Sequence, residues 1–357
     1  TPFMPTTVEI DPLIRPWEER TDFRYPMYAE GLRRSFEMVK GLNLPIIVTE
    51  NGVADDDDDM RPEHIRRHLW ITSKAIKDGF DIRGFYHWSL MDNFEWAEGY
   101  KQRFGLYHVD FESQERTLKK SGKLYSKVIG ENTIPQVVIL AGGLGTRLGK
   151  ITEETPKSLI EVNGKPMLSH ILDWAQSQGC RKALILTGHL GNMFDSFKHR
   201  GIALTFHQEA KPLGTGGALW NAKEMLEEEF ILLWGDDYHP IKYSPIVSHH
   251  RQNQSLLTMT VTESHDSMNL HHQDGKVVAY NKMEQESNFN GYEAGTSVIK
   301  KSLINTYGKE GKWSWEETIY PKLSGEIVAY IDNTKFWDMG TPDRLSKLEK
   351  FFENGRV

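Results

Sequence analysis

The sequence predicts an α/β protein built in two parts, of which the second is a doubly wound sheet. Apolar strands alternate with helices throughout the chain, and Gly-rich turns follow several strands of the second part. The character of the sequence changes between residues 121 and 135, from dense tryptophans and other aromatics to short apolar strands. A chain of 357 residues also fits two domains better than one, because single cores rarely grow beyond about 250 residues. We therefore predict two domains, at residues 1–133 and 134–357.

The bulk composition excludes several classes of protein. A formal net charge of -7 argues against general binding to nucleic acid or to an anionic membrane. No apolar run approaches the ~18 residues that span a bilayer, and no basic-then-apolar export signal opens the chain. The one cysteine, Cys180, is interpreted as a buried structural thiol and suits a reducing compartment. These features predict a cytoplasmic protein.

The first part follows an α-β-α-β-α order, which is typical of a parallel sheet or barrel. Hydrophobic periodicity and turn residues predict helices and strands at residues 26–40, 44–50, 61–78, 82–88 and 118–129. The acidic run Asp55–Asp59 lies between a strand and a helix. We interpret it as a solvated loop whose charge favours the next helix N-terminus, with a calcium site as the alternative.

In the second part, near-continuous apolar strands alternate with helices, and such strands carry ligands at their carboxyl ends. The predicted strands are residues 136–141, 183–187, 202–206, 230–234, 256–261, 277–280 and 327–331. The first of them runs into the turn Gly142–Arg147. Such a turn directs several backbone N–H groups to one point, which suits a phosphate. Arg147 and Lys157 supply the cations that a triphosphate requires.

From Ala141 to Pro166 the chain resembles the sugar-nucleotide pyrophosphorylases, which are nucleotidyltransferases acting on sugar 1-phosphates. The resemblance implies a Rossmann-like mixed sheet, the nucleotidyltransferase fold, over residues 134–357. It implies catalytic roles for Arg147, Lys157 and Asp236, and a Mg²⁺ site formed by Asp236 and Asp338. The nucleotide-binding positions that it implies are Leu140, Ala141, Gly142, Gly143, Gly145, Thr146, Gln208 (with Glu209 beside it), Gly214 and Thr215.

The same resemblance implies a sugar-phosphate site at Lys282, Glu293 and Gly295. The match at Lys282 is imperfect, because Asn281 stands where the family usually has an acidic residue. The implied reaction joins a nucleoside triphosphate to a sugar 1-phosphate, by in-line attack of a phosphate oxygen on the α-phosphorus with loss of pyrophosphate. Positioning and charge neutralisation carry such transfers. Short relatives are often homodimers, so a homodimer is also expected.

Residues 20–133 resemble glycoside hydrolase family 1, which comprises retaining β-glycosidases on a (β/α)₈ barrel. The resemblance rests on the segments 48–52, 87–96 and 103–106. It places Glu50 at the nucleophile position. It places Trp88, Glu95, Trp96 and Phe104 around the sugar. The segment therefore represents a partial barrel, its last two strands.

Retaining hydrolysis needs a second carboxylate ~5 Å away as acid/base. The family carries it in an Asn-Glu-Pro motif, which the sequence lacks. We therefore expect no glycosidase activity from this chain alone. The segment could be the tail of a longer fusion, which the absence of an initiator Met favours. A second polypeptide could instead supply the missing barrel half, or the segment could be a relic.

Three functions compete. The leading one is an enzyme that forms nucleotide sugars. The second is a non-catalytic nucleotide-sugar sensor, against which the two metal-binding aspartates argue, because binding alone seldom requires them. The third is a retaining β-glycosidase that depends on Glu50 and on the missing strands. The sequence leaves the nucleobase and the sugar open.

Overall fold

Contacts group the chain into two units in the computed structural model, which describes residues 19–282 and 286–353. The units are Thr1–Glu131 and Asn132–Val357. The first 18 residues of the predicted first domain and the last four of the second lie outside the described residues. Within the described ranges, no helix combines the length and apolar character needed to cross a bilayer.

The first unit has the predicted order of helices and strands. A short hairpin, which was not predicted, precedes its last helix. The first helix begins four residues later than predicted, because Pro26 is held in an isolated β-bridge with Arg20. The elements are α1 (Glu30–Val39), β1 (Ile46–Asn51), α2 (Arg61–Lys77), β2 (Ile82–His87), β3 (Tyr107–Val109), β4 (Arg116–Leu118) and α3 (Lys120–Asn132).

Strands β1 and β2 pair in parallel, with Val48 opposite Phe85. A small core of Phe36, Val48, Ala75 and Phe80 joins them to α1 and α2. Other apolar side chains of the two strands are uncovered: Ile47 is 54% exposed and Tyr86 is 62% exposed. Because an isolated pair of strands leaves such faces and edges open, this unit has the character of a barrel segment.

The acidic run is only in part the solvated loop that the sequence predicts, because Asp56, Asp57 and Asp59 are exposed but the other two aspartates are not. Asp55 and Asp58 are buried, and the fully buried Arg61 forms an ion pair with Asp58. The guanidinium also donates to the backbone oxygen of Asp55 and, at 2.6 Å, to that of Arg103. Buried charges persist only when they are paired and hydrogen-bonded, which this arrangement achieves. The predicted helix-terminal role does hold, since the Asp55 carboxylate accepts from the first backbone N–H groups of α2.

The second unit alternates strands and helices in the predicted manner, and most strand boundaries differ from prediction by one or two residues. Its elements are β5 (Gln136–Leu140), α4 (Ile151–Glu154), β6 (Glu161–Val162), β7 (Lys165–Pro166), α5 (Met167–Ser177), β8 (Lys182–Thr187), β9 (Ala203–Gln208), α6 (Gly214–Asn221), β10 (Glu229–Trp234), β11 (Asp237–Tyr238), α7 (Tyr243–Gln252), β12 (Leu257–Thr262), β13 (Leu270–Gln273), β14 (Lys276–Tyr280), β15 (Tyr292–Lys300), α8 (Lys301–Tyr307), α9 (Trp315–Lys322), β16 (Val328–Ile331), β17 (Trp337–Asp338) and α10 (Pro342–Glu353).

Nine strands of the described residues form one mixed sheet in the order β13-β14-β16-β12-β15-β10-β5-β8-β9. The strands from β10 to β9 are parallel, and β15 is antiparallel to both of its neighbours. The predicted mixed α/β fold is confirmed. Two strands of this sheet, β13 and β15, were not predicted. In β15 seven of the nine residues are buried, so its sequence lacks an alternating pattern.

The sheet reverses its winding direction between β5 and β10. From β5 the chain continues to β8 on one side, and later returns to β10 on the other. Strand β5 sends Val137 and Ile139 into the core on one face and Val138 into the core on the other. Ligands of open α/β sheets bind beyond the carboxyl ends of the strands at such a reversal. Here those ends are Leu140 and Trp234, which pair directly with each other.

Candidate active site

A cavity of about 460 Å³ opens beyond the carboxyl ends of β5, β8 and β10. The glycine-rich turn after β5 forms one wall. In that turn Gly145 has a φ of +63°, and a side chain there would meet Thr152, so the position requires glycine. The residues that line the cavity are Leu140–Arg147, Lys157, Ser158, Leu186, Thr187, Glu209, Pro212, Gly214, Thr215, Ala218, Trp234, Gly235, Asp236, Lys312 and Gly340.

The cavity contains every predicted nucleotide-binding residue except Gln208. The side chain of Gln208 packs against Gly191 instead, because successive residues of a strand point to opposite faces. Glu209 lines the cavity, and its carboxylate accepts from the Leu213 N–H at 3.1 Å. Burial raises the pKa of Glu209. Lys312 and Trp234, which the sequence did not indicate, also line the cavity.

Aspartates from two distant segments meet beside this cavity. Asp236 lies two residues after the end of β10, and its carboxylate forms an ion pair with Lys157. Strands β11 and β17 pair antiparallel and set Asp237 opposite Asp338, while the Met339 N–H donates to the Asp236 carbonyl at 3.1 Å. Asp338 lies against Gly340 at the cavity wall, where the Arg147 guanidinium also approaches. The structure thus brings Asp236, Asp338, Arg147 and Lys157 together, although about 100 residues separate the two carboxylates.

Asp237 is a further member of this cluster that the sequence did not single out. Burial raises the pKa of its carboxyl well above the ordinary value, and the negative charges of Asp236 and Asp338 raise it further. Its carboxylate lies next to Gly295, where an added Cβ would be 3.0 Å from one carboxylate oxygen. Gly295 has a φ of +75°. Both this backbone conformation and the closeness of Asp237 therefore require glycine at the position.

The three predicted sugar-phosphate residues lie together on the other side of β10. The Gly295 N–H donates to the Glu293 carboxylate at 3.1 Å, and the Lys282 ammonium lies 2.8 Å from a carboxylate oxygen of Glu316. Glu316 was not predicted, because nothing in its surrounding sequence marks it. Burial raises the pKa of Glu293 to about 7, and the charge of Glu316 contributes to that rise.

Glu293 makes the stability of the second unit depend on pH. Its pKa rises from 4.5 to about 7 on folding, so the folded state holds the proton more tightly between these values. Stability is therefore lost as pH rises through this range, by up to about 3 kcal/mol. We expect the variant Glu293→Gln, which keeps an acceptor for Gly295, to lose less stability than the parent protein between pH 5 and pH 8. Urea unfolding measures this, with Glu310→Gln, an exposed site, as control. Equal pH dependence in parent and Glu293→Gln would contradict it.

The donor set of the acidic cluster fits a magnesium ion. Mg²⁺ prefers oxygen ligands and is usually held by one or two carboxylates together with substrate phosphates. Across residues 19–282 and 286–353, no group of three or more His, Cys, Asp or Glu side chains is arranged as a complete metal site. Asp236 and Asp338 each carry a cationic side chain, Lys157 and Arg344 respectively. Both carboxylates are therefore already paired with cationic side chains of the protein.

The structure brings together only some of the sugar-contacting positions that the resemblance implies for the first unit. Glu50 lies at the end of β1 and Trp88 follows β2, and Gly52 is in direct contact with the Trp88 backbone. Burial raises the pKa of Glu95, and the charge of Glu50 raises it further. Glu95 and Phe104 line a cavity of about 290 Å³, which neither Glu50 nor Trp88 lines. Trp96 is 84% exposed, so it contacts little of the unit.

Comparisons with known proteins agree with this division of the chain. Residues 6–134 match the family model for glycosyl hydrolase family 1. The β-galactosidase of Pyrococcus woesei is 38% identical over 119 residues, which are 33% of this chain and 23% of that protein. The β-glucosidase of an Agrobacterium species is 44% identical over 117 residues, which are 30% of this chain and 26% of that protein. The chain spans about a quarter of the length of these curated relatives.

Residues 136–270 match the family model for nucleotidyl transferases. The crystal structure of HddC from Yersinia pseudotuberculosis, complexed with GMP-PN, is 27% identical. It covers 61% of this chain and 100% of its own, with a TM-score of 0.54. A UDP-glucose pyrophosphorylase complexed with UDP-glucose is 18% identical and shares the fold, with a TM-score of 0.53 over 63% of this chain and 100% of its own. Both predicted resemblances are confirmed: residues 6–134 are similar to glycosyl hydrolase family 1, and residues 136–270 are similar to the nucleotidyl transferases.

Proposed function

We propose that the second unit transfers a nucleoside monophosphate from a nucleoside triphosphate to a sugar 1-phosphate in a Mg²⁺-dependent reaction. The products are a nucleotide-diphospho-sugar and pyrophosphate. The observation that carries this proposal is the convergence of three features at the reversal point of the sheet. These are the glycine-rich turn, the cations Arg147 and Lys157, and the carboxylates of Asp236 and Asp338.

Each group has a distinct task in this reaction. The backbone N–H groups of the glycine-rich turn bind the triphosphate, and Arg147 and Lys157 offset charge on the leaving pyrophosphate and at the reacting phosphorus. Asp236 and Asp338 would hold the metal. When bound, Mg²⁺ supplies Lewis-acid stabilisation of the α-phosphate. The protein then needs no covalent nucleophile, because a sugar-phosphate oxygen attacks the α-phosphorus as pyrophosphate departs.

The sugar phosphate is assigned to the neighbouring cluster of Lys282, Glu293 and Gly295. The Lys282 ammonium would bind the phosphate after exchanging its contact with Glu316. The Glu293 carboxylate would accept hydrogen bonds from sugar hydroxyls. The hydrogen bond that it accepts from the Gly295 N–H holds it in position for this role. The cluster connects to the cavity through Trp234, which lines the cavity and lies close enough to Glu293 to lower the pKa of its carboxyl. The acceptor oxygen and the α-phosphorus would meet beside Asp236.

Glu209 positions the loop that would contact the nucleobase. Its carboxylate holds the Leu213 N–H, just before the cavity residues Gly214 and Thr215. We expect Glu209→Ala to raise the KM for the nucleoside triphosphate about tenfold, because a freed loop must be ordered on binding. Glu209→Gln, which keeps an acceptor, should raise it less than threefold. Steady-state kinetics with varied triphosphate measure both. Equal KM values for the two variants would contradict this role.

A substrate panel tests the proposed reaction and identifies its base and sugar. Pyrophosphate release is measured with each common nucleoside triphosphate against a set of hexose and heptose 1-phosphates, with and without Mg²⁺. The HddC structure holds GMP-PN and the pyrophosphorylase holds UDP-glucose, so guanine and uracil nucleotides are the first to test. Tight nucleotide-sugar binding without pyrophosphate release from any pair would instead favour the sensor. The homodimer remains a prediction, which light scattering tests.

For the first unit, we propose that a β-glycosidase activity requires further barrel strands, from a longer chain or from a second polypeptide. The uncovered β1–β2 pair and the proximity of Glu50 to Glu95 support this alternative. Chromogenic β-glucosides and β-galactosides are assayed with this chain and with the product of the complete gene. Hydrolysis by this chain alone, lost in Glu50→Gln, would overturn the requirement.

A further inference from the structure

Arg344 is a charged residue beside the acidic cluster for which the proposed reaction has no role. It lies in the first turn of α10, and its Nη1 atom is 3.0 Å from each carboxylate oxygen of Asp338. Asp338 also accepts from the Gly340 N–H at 2.9 Å through one of these oxygens. The carboxylate that would bind the metal is therefore engaged on both oxygens by a cation of the protein itself.

Arg344 differs from Lys157, which contacts the other metal-binding carboxylate. Lys157 lines the cavity, so an incoming triphosphate offers it a new partner. Arg344 does not line the cavity, and half of its side chain is exposed to solvent. When it leaves Asp338, water can hydrate its guanidinium. Exposed ion pairs of this kind contribute little net free energy, so a metal ion can displace this one.

The competition is direct, because a carboxylate uses the same lone pairs for a guanidinium and for a metal ion. We propose that Arg344 is a placeholder for the metal at Asp338, which weakens binding of a divalent cation to the nucleotide-free protein. The metal then enters with the triphosphate, whose oxygens supply the remaining ligands while Arg344 moves into solvent. This inference rests on the proposed function, and it adds the order in which metal and nucleotide occupy the site.

The test measures metal binding without turnover. Mn²⁺, which is observed by electron paramagnetic resonance, is titrated into the nucleotide-free protein and into Arg344→Gln. We expect the variant to bind Mn²⁺ about twofold to fivefold more tightly, the range that loss of such an ion pair allows. Arg344→Lys keeps the charge with fewer hydrogen-bond donors, so its Mn²⁺ affinity should lie between those of the parent protein and Arg344→Gln. The matched control is Lys347→Gln, because Lys347 is an exposed cation on the same helix that pairs with Asp343. It should leave Mn²⁺ affinity unchanged.

A double variant shows whether the gain acts through Asp338. In an Asp338→Asn background, Arg344→Gln should give no gain, so Asp338→Asn and the double variant should bind Mn²⁺ equally well. Thermal melting confirms that each variant is folded. The placeholder role is overturned if Arg344→Gln matches Lys347→Gln, or if the gain survives the loss of Asp338. Tighter Mn²⁺ binding without pyrophosphate release from any substrate pair would reject the proposed reaction alone. Turnover in the panel with unchanged Mn²⁺ affinity in Arg344→Gln would reject the placeholder alone.

Discussion

The variant Asp236→Asn should lose about 10²- to 10³-fold in kcat/KM for pyrophosphate formation, because the substitution removes a charge that acts mainly in the transition state. Asp236 lies at the cavity wall and contacts Lys157. Its loss would weaken the metal site and leave the Lys157 ammonium without its partner carboxylate. Two of the groups assigned to the reacting phosphate are therefore disturbed by one substitution.

Pyrophosphate release with the best substrate pair from the panel measures this effect. The matched control is Asp266→Asn, the same change at an exposed aspartate, which should keep full activity. Thermal unfolding of Asp236→Asn checks that the variant is folded, because its partner Lys157 is only 12% exposed. An Asp236→Asn variant with more than a tenth of the parent activity would refute the proposed metal site.

The variant Arg61→Leu should destabilise the first unit by about 3–5 kcal/mol, the usual cost of removing one partner of a buried ion pair. The Arg61 side chain is fully buried, and Asp58, its partner, is 6% exposed. Without Arg61 the Asp58 carboxylate keeps a bond from the Ser121 N–H at 2.7 Å. The backbone oxygens of Asp55 and Arg103 both lose a donor.

Hydrogen exchange measures this loss within one unit of the chain. Amides of α2 should exchange faster in Arg61→Leu, while amides of α5 in the second unit serve as the internal reference. Arg67→Leu is the matched control, because Arg67 lies on the same helix but is 44% exposed and pairs at the surface with Glu63. It should change stability by less than about 1 kcal/mol. Similar exchange in the two variants would show that the buried pair is not structurally important.

Local sequence was sufficient for most of the longer helices and strands and for much of the cavity. Strand β5 and the turn at Gly142–Arg147 were predicted correctly because an apolar run and closely spaced glycines are local signals. Helix α1 was predicted too long and β15 was missed as a strand. For α1 the local pattern is overridden by the Arg20–Pro26 bridge. For β15 it is overridden by burial between β10 and β12.

Side-chain direction could not be predicted at the same level. Gln208 and Glu209 are adjacent, and only the orientation of β9 decides that Glu209 faces the cavity. The acidic run at residues 55–59 reads as a solvated loop, yet the position of Arg61 draws Asp58 into the interior. Such outcomes depend on neighbours that are distant in sequence, which no periodicity records.

The sequence alone indicated that the two parts of this chain resemble two different families, and it determined the local chemistry of the glycine-rich turn. Periodicity, turn residues and short motifs carry that information, because each depends on neighbours a few residues away. Only the tertiary structure decided that Asp237 lies opposite Asp338 in a pair of strands. It alone also decided that Glu316 forms an ion pair with Lys282, and that Arg344 forms one with Asp338. These contacts form when strand pairing and packing bring separate segments together, so their geometry exists only in the folded chain.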